Sequence, residues 1–263
     1  MMIFSMINGK SPQEAINFTV ATSALKHSLE GNYNRASLAE VKKLASGNGI
    51  ERVRRWRMIE SKEDLKQFLE TERLLFLHRN YGMRQIERKR PKLIGEYEWK
   101  YVRSLRWTEY LKNSGGGYTD LVVCLLHVIR YKILSVLFCV KIPLNIFDEG
   151  LLVLHLHGLI ISEKVRVGKF CCLFQNTTIG ISVGTDDHGN CPLLGDGITI
   201  CTGAVVVGDI KVADGVTIAA NAVVVKNIEK SGCVFGGVPA KEIKESAGFS
   251  MLDYWQKINT MAN

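Results

Sequence analysis

Two histidines two residues apart, His155 and His157, stand in the stretch Gly150-Leu151-Leu152-Val153-Leu154-His155-Leu156-His157-Gly158. Imidazole is the side chain best matched to moving a proton near neutral pH. In its neutral form it can take the proton of a hydroxyl as that oxygen attacks a thioester, then return it to the departing thiolate. In an extended backbone both rings point to one side, because side chains alternate at a period of two. His155 lies six residues before Ile161, a phase that leaves open which face that is. The same pair can be read as polar residues closing the end of a coil. It can also be read as half of a zinc site, although no third ligand has suitable spacing, and no metal is expected.

The elements that must hold these rings are legible from periodicity. Leu194, Ile200, Val206, Val212, Ile218 and Val224 recur every six residues, and the companions four positions later, Ile198, Ala204, Ile210, Val216, Ala222 and Ile228, are small or branched. This is the hexapeptide pattern of a parallel β-helix, in which each unit makes one short strand and one tight corner and buries its aliphatic residue only by stacking on its neighbours. Ile161, Val167, Leu173 and Ile179 form an earlier run of the same period. Between the runs, Ile179 to Leu194 is three residues longer than two units. The polar segment from Ser182 to Pro192 reads as a loop thrown out of the coil. Insertions into repeats collect on one face and carry binding groups, so Asp186, Asp187 and His188 are candidates for placing an acceptor.

Before the coil, residues 58–141 read as a helical module. Ser61-Lys62-Glu63-Asp64 is a capping box ahead of Leu65, Phe68 and Leu69, Glu96 to Lys112 is an amphipathic helix, and an apolar helix follows over 121–140, capped by Thr119-Asp120. His127, Arg130 and Lys132 interrupt that last segment, so a buried or interfacial helix is expected rather than a membrane span; membrane contact is not expected, although a surface role stays open. The chain of 263 residues has a formal charge of +8 concentrated between Arg52 and Arg106, which reads as solvated helix faces rather than a nucleic-acid surface. Seven cysteines without paired metal spacing suit reduced thiols in a cytoplasm. Cys171 and Cys172, adjacent in a coil strand, are expected to face one inward and one outward.

From about residue 58 to Lys244 the chain resembles the serine O-acetyltransferase group of left-handed β-helix acyltransferases, which includes relatives that acetylate sugars in surface polysaccharides. The "IPLN" entry, "GLLVLHLHGLII", "TTIG" before the loop, "CPLLGDGITICTGAVVVGDIKVADGVTIAANAVVV" and "GGVPAKEIK" carry the resemblance, in that order. It implies an α+β chain, a helical module at 58–141 followed by a left-handed β-helix at 142–244, with a tail at 245–263. It also implies an acetyl-CoA-dependent O-acetyltransferase that forms a homotrimer or a dimer of trimers, with L-serine or a sugar hydroxyl as acceptor. By position His155 matches the general base, His157 and the loop residues face the acceptor, and Gly203, Ala204, Ala220, Ala222, Gly237 and Lys241 match the surface along which the cofactor lies. Two departures stand out: the acidic residue expected directly before the base is Leu154, and the carboxylate expected to orient the imidazole matches Val140.

Residues 1–57 differ from the rest. "NGKSPQEAINFTVATSALKH" resembles the C-terminal tail of ribokinase-like sugar kinases, especially those acting on ketodeoxygluconate. The kinases' anion-hole and catalytic-base stretch is absent, so the segment is expected to be a fusion remnant without kinase activity. A noncatalytic trimeric scaffold and a decayed fusion are the readings that compete with the enzyme.

Overall fold

The computed structural model describes residues 57–82, 92–114, 118–181, 191–245 and 250–262, all within one compact unit, Arg57–Asn263. The kinase-tail-like segment and the loop residues Asp186, Asp187 and His188 lie outside the described residues.

Three helices precede the coil: α1 (Lys62–Tyr81), α2 (Tyr97–Ser114) and α3 (Tyr118–Leu137). The capping box at α1 forms as its sequence dictates. The Asp64 amide donates to Ser61 Oγ at 3.0 Å and the Ser61 amide donates back to Asp64 Oδ2 at 3.1 Å, satisfying two amides that a helix start leaves without partners. Helix α3 begins at Tyr118, ahead of the expected cap, and stops at Leu137, three residues short of the expected end. Cys139, at φ 53°, breaks the helix so that the chain can enter the coil.

The coil is a three-faced prism of short parallel strands. One sheet stacks β1 (Leu152–Val153), β4 (Cys172–Leu173), β7 (Thr199–Ile200), β10 (Thr217–Ile218) and β12 (Val234–Gly236), closed by the antiparallel β13 (Lys241–Lys244). A second stacks β2 (Ile160–Ile161), β5 (Thr178–Gly180), β8 (Val205–Val207) and β11 (Val223–Val224), and a third stacks β3 (Arg166–Val167), β6 (Leu193–Leu194) and β9 (Lys211–Val212). The six-residue aliphatic positions are the interior: Ile161, Val167, Leu173, Ile200, Val206 and Ile218 are fully buried in one continuous core. Each such side chain contributes about 1.5–3 kcal/mol of burial. Cys171 joins this interior, while Cys172 faces outward onto the helices, as expected of neighbours on a pleat.

Two departures from strict period are visible in the register. Val167 pairs with Leu194, and Leu194 with Val212, so the coil that carries the loop is nine residues longer than the one after it. The span from Ile179 to Leu194 is therefore one side of the prism plus an insertion of nine residues, not two units plus three. Strands β5 and β6 lie on adjacent faces, leaving only one corner between them. At the start of the coil Val153 pairs with Leu173 whereas Ile161 pairs with Ile179, a coil two residues longer than the next.

A buried polar cluster fixes the helices to this first coil. Arg106, 1% exposed, donates from Nε and Nη2 to Glu72 Oε1 at 2.9 and 2.7 Å and from Nη1 to Glu109 Oε2 at 2.8 Å. It also reaches the carbonyls of Phe147 and Asp148, both at 2.9 Å. Glu72 Oε2 has no hydrogen-bond partner among the described residues and lines a cavity about the size of a water molecule with Phe76, Glu98, Trp99 and Leu152. Burial pushes the Glu72 carboxyl up to about 7 despite the neighbouring guanidinium.

The segment expected as a tail contains a helix, α4 (Met251–Ala262), whose first turn is capped by Ser250 Oγ accepting from the amides of Leu252 and Asp253. Met251 and Ile258 bury against the outer face of the β1–β4 sheet together with Leu74 and Trp99. Trp255 stacks on Phe170 at 5.5 Å, and Tyr254 meets His78 Nδ1 at 2.7 Å. One face of the prism is thereby covered.

Candidate active site

The two extra residues of the first coil explain where the histidines point. Val153 takes the inward position that simple counting back from Ile161 would give to His155. The corner 154–159 is thus a bulge, longer than the corner 174–177 below it. Leu156 and Leu159 fold inward, both fully buried, and His155 and His157 turn out to solvent. The alternation expected of a strand survives, but the residues form a corner between β1 and β2.

Below this bulge the corners stack. The Asn176 amide donates to the His157 carbonyl at 2.8 Å, Gly203 to the Gln175 carbonyl at 3.1 Å, and Asn221 to the Thr202 carbonyl at 2.9 Å. His157, Gln175, Thr202 and Ala220 therefore form one column, and Gly158, Asn176, Gly203 and Asn221 form the next. The second column is left-handed throughout, with φ 64°, 58°, 71° and 57°. Glycine and asparagine alternate there for a physical reason. A Cβ on Gly158 would lie 2.4 Å from Asn176 Oδ1, and one on Gly203 would lie 2.3 Å from Asn221 Oδ1. Asparagine tolerates the backbone and its amide fills the space that the glycine above vacates. Gly237, at φ 92°, continues the edge, its carbonyl accepting from the Val223 amide at 3.0 Å.

The structure thus brings His155, His157, Gly203, Ala220 and Gly237 to a single edge of the prism. With strands about 4.8 Å apart, that edge runs roughly 20 Å from the histidines to Gly237. Lys241 follows at its far end, exposed and paired with Gly236. Ala204 and Ala222 stand at the same corners, but their methyl groups are fully buried inside the prism. They occupy the second inward position of the repeat, so the outward residues at those turns are Thr202 and Ala220. The loop leaves from the neighbouring corner, between Ile181 and Cys191, across the β2–β5 sheet from the histidines.

Around the imidazoles the surroundings are sparse. The His157 ring packs edge-on against Phe138 at 5.0 Å. Neither imidazole is hydrogen-bonded to a carboxylate among the described residues. Leu154 is half-buried against the outer helices and Val140 is buried at the coil's end. Gln175, directly beneath His157, has a buried Oε1 without a partner among the described residues. It stands three six-residue units after His157, so the period alone could have found it; sequence reasoning passed over it because the face on which the histidines lie was left open. Cys201 lies just before Thr202 in the same corner, and burial pushes its thiol up, away from the thiolate a nucleophile needs.

No family model matches the chain. It is similar to a serine acetyltransferase of Synechococcus elongatus, 31% identical over 98 residues, covering 37% of this chain and 39% of that protein. It is also similar to a probable serine acetyltransferase 2 of Oryza sativa subsp. japonica, 34% identical over 112 residues, covering 42% and 29%. The matches thus span well under half the length of these curated relatives. Among solved structures, serine acetyltransferase from Brucella abortus in complex with coenzyme A superposes with a TM-score of 0.56 at 19% identity, over 92% of this chain and 86% of that one. Serine acetyltransferase from Vibrio cholerae gives 0.54 at 16% identity, over 91% and 83%. The chain has the fold of the serine acetyltransferases, a helical module followed by a left-handed parallel β-helix of hexapeptide repeats.

Proposed function

We propose that this protein is an acetyl-CoA-dependent O-acetyltransferase of the serine acetyltransferase type, converting L-serine to O-acetyl-L-serine, with His155 as general base. The observation that carries this is the bulged corner. It turns His155 outward at the head of an edge that carries Gly203, Ala220 and Gly237 beside the larger Gln175, Thr202 and Asn221, and the three small residues leave backbone against which an extended acyl donor could lie. Lys241 would meet a phosphate of the donor at the far end as a point charge.

In this scheme His155 takes the proton of the acceptor hydroxyl as its oxygen bonds to the thioester carbonyl carbon. The carbon–sulfur bond then breaks, and the proton passes to the leaving thiolate. His157, Gln175 and the loop residues Asp186, Asp187 and His188 would place the acceptor. A prism edge is convex, whereas such chemistry needs an enclosing wall; a homotrimer or a dimer of trimers, in which a neighbouring copy faces the edge, would supply it.

A sugar hydroxyl is the second reading, favoured by one observation. Leu154, half-buried against the helices, offers no carboxylate for the ammonium of an amino acid. Thiol release from acetyl-CoA, measured with L-serine and separately with a panel of sugars, distinguishes the two. Silence with every acceptor would return the protein to a scaffold or a decayed fusion.

A further inference from the structure

Helix α3 is apolar on two opposite sides. Cys124, Tyr131 and Leu134 bury against the rest of the protein. On the other side Val122, Leu126, Ile129, Ile133 and Val136 recur at alternating spacings of four and three, and are 65%, 64%, 46%, 59% and 80% exposed. With the neighbouring Leu125 and Leu137 they make one contiguous apolar patch of seven large exposed side chains, of the kind that marks an interaction surface on a soluble protein. The stripe has charged borders. At about 100° per residue, Arg130 and Lys132 fall roughly 80° to either side of its centre, and both are exposed. Residues 122–137 contain no carboxylate.

These borders decide between occupants. A second α3 laid along the stripe would bring cation against cation at both edges, with no acid in the segment to separate them. An anionic lipid surface complements both features, taking the apolar side chains at the boundary between headgroups and acyl chains and the cations at the level of the phosphates. The same charged residues that argue against a span suit a helix lying in the plane of the surface. No helix among the described residues is long and apolar enough to cross a membrane.

We propose that the outward stripe of α3 docks this protein onto an anionic bilayer surface. Docking does not depend on the assignment of His155, although the stripe ends beside Phe138, which carries the His157 ring.

Co-sedimentation of the full-length protein with vesicles of phosphatidylcholine alone, and of phosphatidylcholine with phosphatidylserine, tests the idea. Binding is expected to the anionic vesicles and to weaken with added salt. Ile129→Ser/Ile133→Ser should reduce it by about tenfold or more, since each exchange removes several buried methylene equivalents. Arg130→Gln and Lys132→Gln should each reduce it by about fivefold. All four positions are exposed, so an unchanged circular dichroism spectrum should accompany the loss. Absent binding, equal binding to neutral vesicles, or equal binding by the double variant would overturn the proposal. So would sedimentation velocity showing that the double variant abolishes self-association while lipid binding stays the same, which would assign the stripe to a second copy.

Discussion

Replacing Glu72 with glutamine should abolish a pH dependence of stability that the wild-type protein carries in its core. Glu72 Oε1 accepts from Arg106 Nε and Nη2 and from the Leu151 amide, but Oε2 has no partner among the described residues, and the side chain is 2% exposed. Two carboxylates, Glu72 and Glu109, share the single guanidinium of Arg106, and Glu98 lines the same small cavity. Burial therefore outweighs the ion pair and raises the Glu72 carboxyl from 4.5 to about 7. A carboxyl raised on folding binds its proton more tightly in the native state. Its contribution is fully present below about pH 4.5 and is lost as pH rises towards 7, beyond which the loss is constant. At about 1.4 kcal/mol per pH unit, the loss amounts to about 3 kcal/mol across that window. Glutamine resembles the protonated carboxyl in shape and keeps an oxygen for Arg106, so Glu72→Gln should lack this slope while other titrating groups act on both proteins alike. Urea unfolding of wild type and variant from pH 4.5 to 8 measures it. The stability of wild type relative to variant should fall by about 3 kcal/mol across the window. A difference that stays flat with pH would show that Glu72 is ionised throughout and refute the reasoning.

Gly158→Ala forces a left-handed alanine whose Cβ meets Asn176 Oδ1, and should cost about 1–3 kcal/mol in thermal or urea unfolding. A variant as stable as wild type would contradict the packed corner. Ile200→Ala removes a fully buried side chain from the middle of the prism and should cost about 2–5 kcal/mol in the same assays. His157→Phe keeps an aromatic ring for Phe138 and should leave stability within about 0.5 kcal/mol. If His157 places the acceptor, that variant should raise the acceptor KM while the KM for acetyl-CoA stays unchanged; parallel changes in both would assign His157 to packing alone.

Much of the scaffold is legible in the chain because hexapeptide burial is local and repetitive. Leu194 through Val224 all point into the prism, Cys171 and Cys172 divide between inside and outside, and the Ser61–Asp64 box caps its helix. What escaped the period is what breaks it. The two-residue bulge that turns His155 outward keeps the aliphatic pattern intact, since Leu156 and Leu159 fill the coil end in place of a regular position. Counting by sixes from Ile161 therefore left the face of His155 open, and Gln175, three units after His157, gained meaning only once the histidines were placed at the corner above it. Ala204 and Ala222 were legible as inward repeat residues, yet matching by family position set them on the cofactor's surface. Helix α4 is recognisable as a helix mainly through its partners, because Met251, Trp255 and Ile258 gain burial only against the sheet face and α1. Glu72 and Arg106, 34 residues apart, meet only once α1 and α2 pack, so their ion pair leaves no local trace in the sequence.

The most direct test of the central claim is thiol release from acetyl-CoA by the full-length protein in the presence of L-serine, with wild type compared against His155→Ala. His155 is exposed, so the variant should fold and bind acetyl-CoA as wild type does. Serine-dependent release should fall by about 10²–10⁴ in kcat, the loss expected of a removed general base. Release at the wild-type rate by the folded variant would contradict the assignment of His155 and, with it, the chemistry proposed for this edge of the coil.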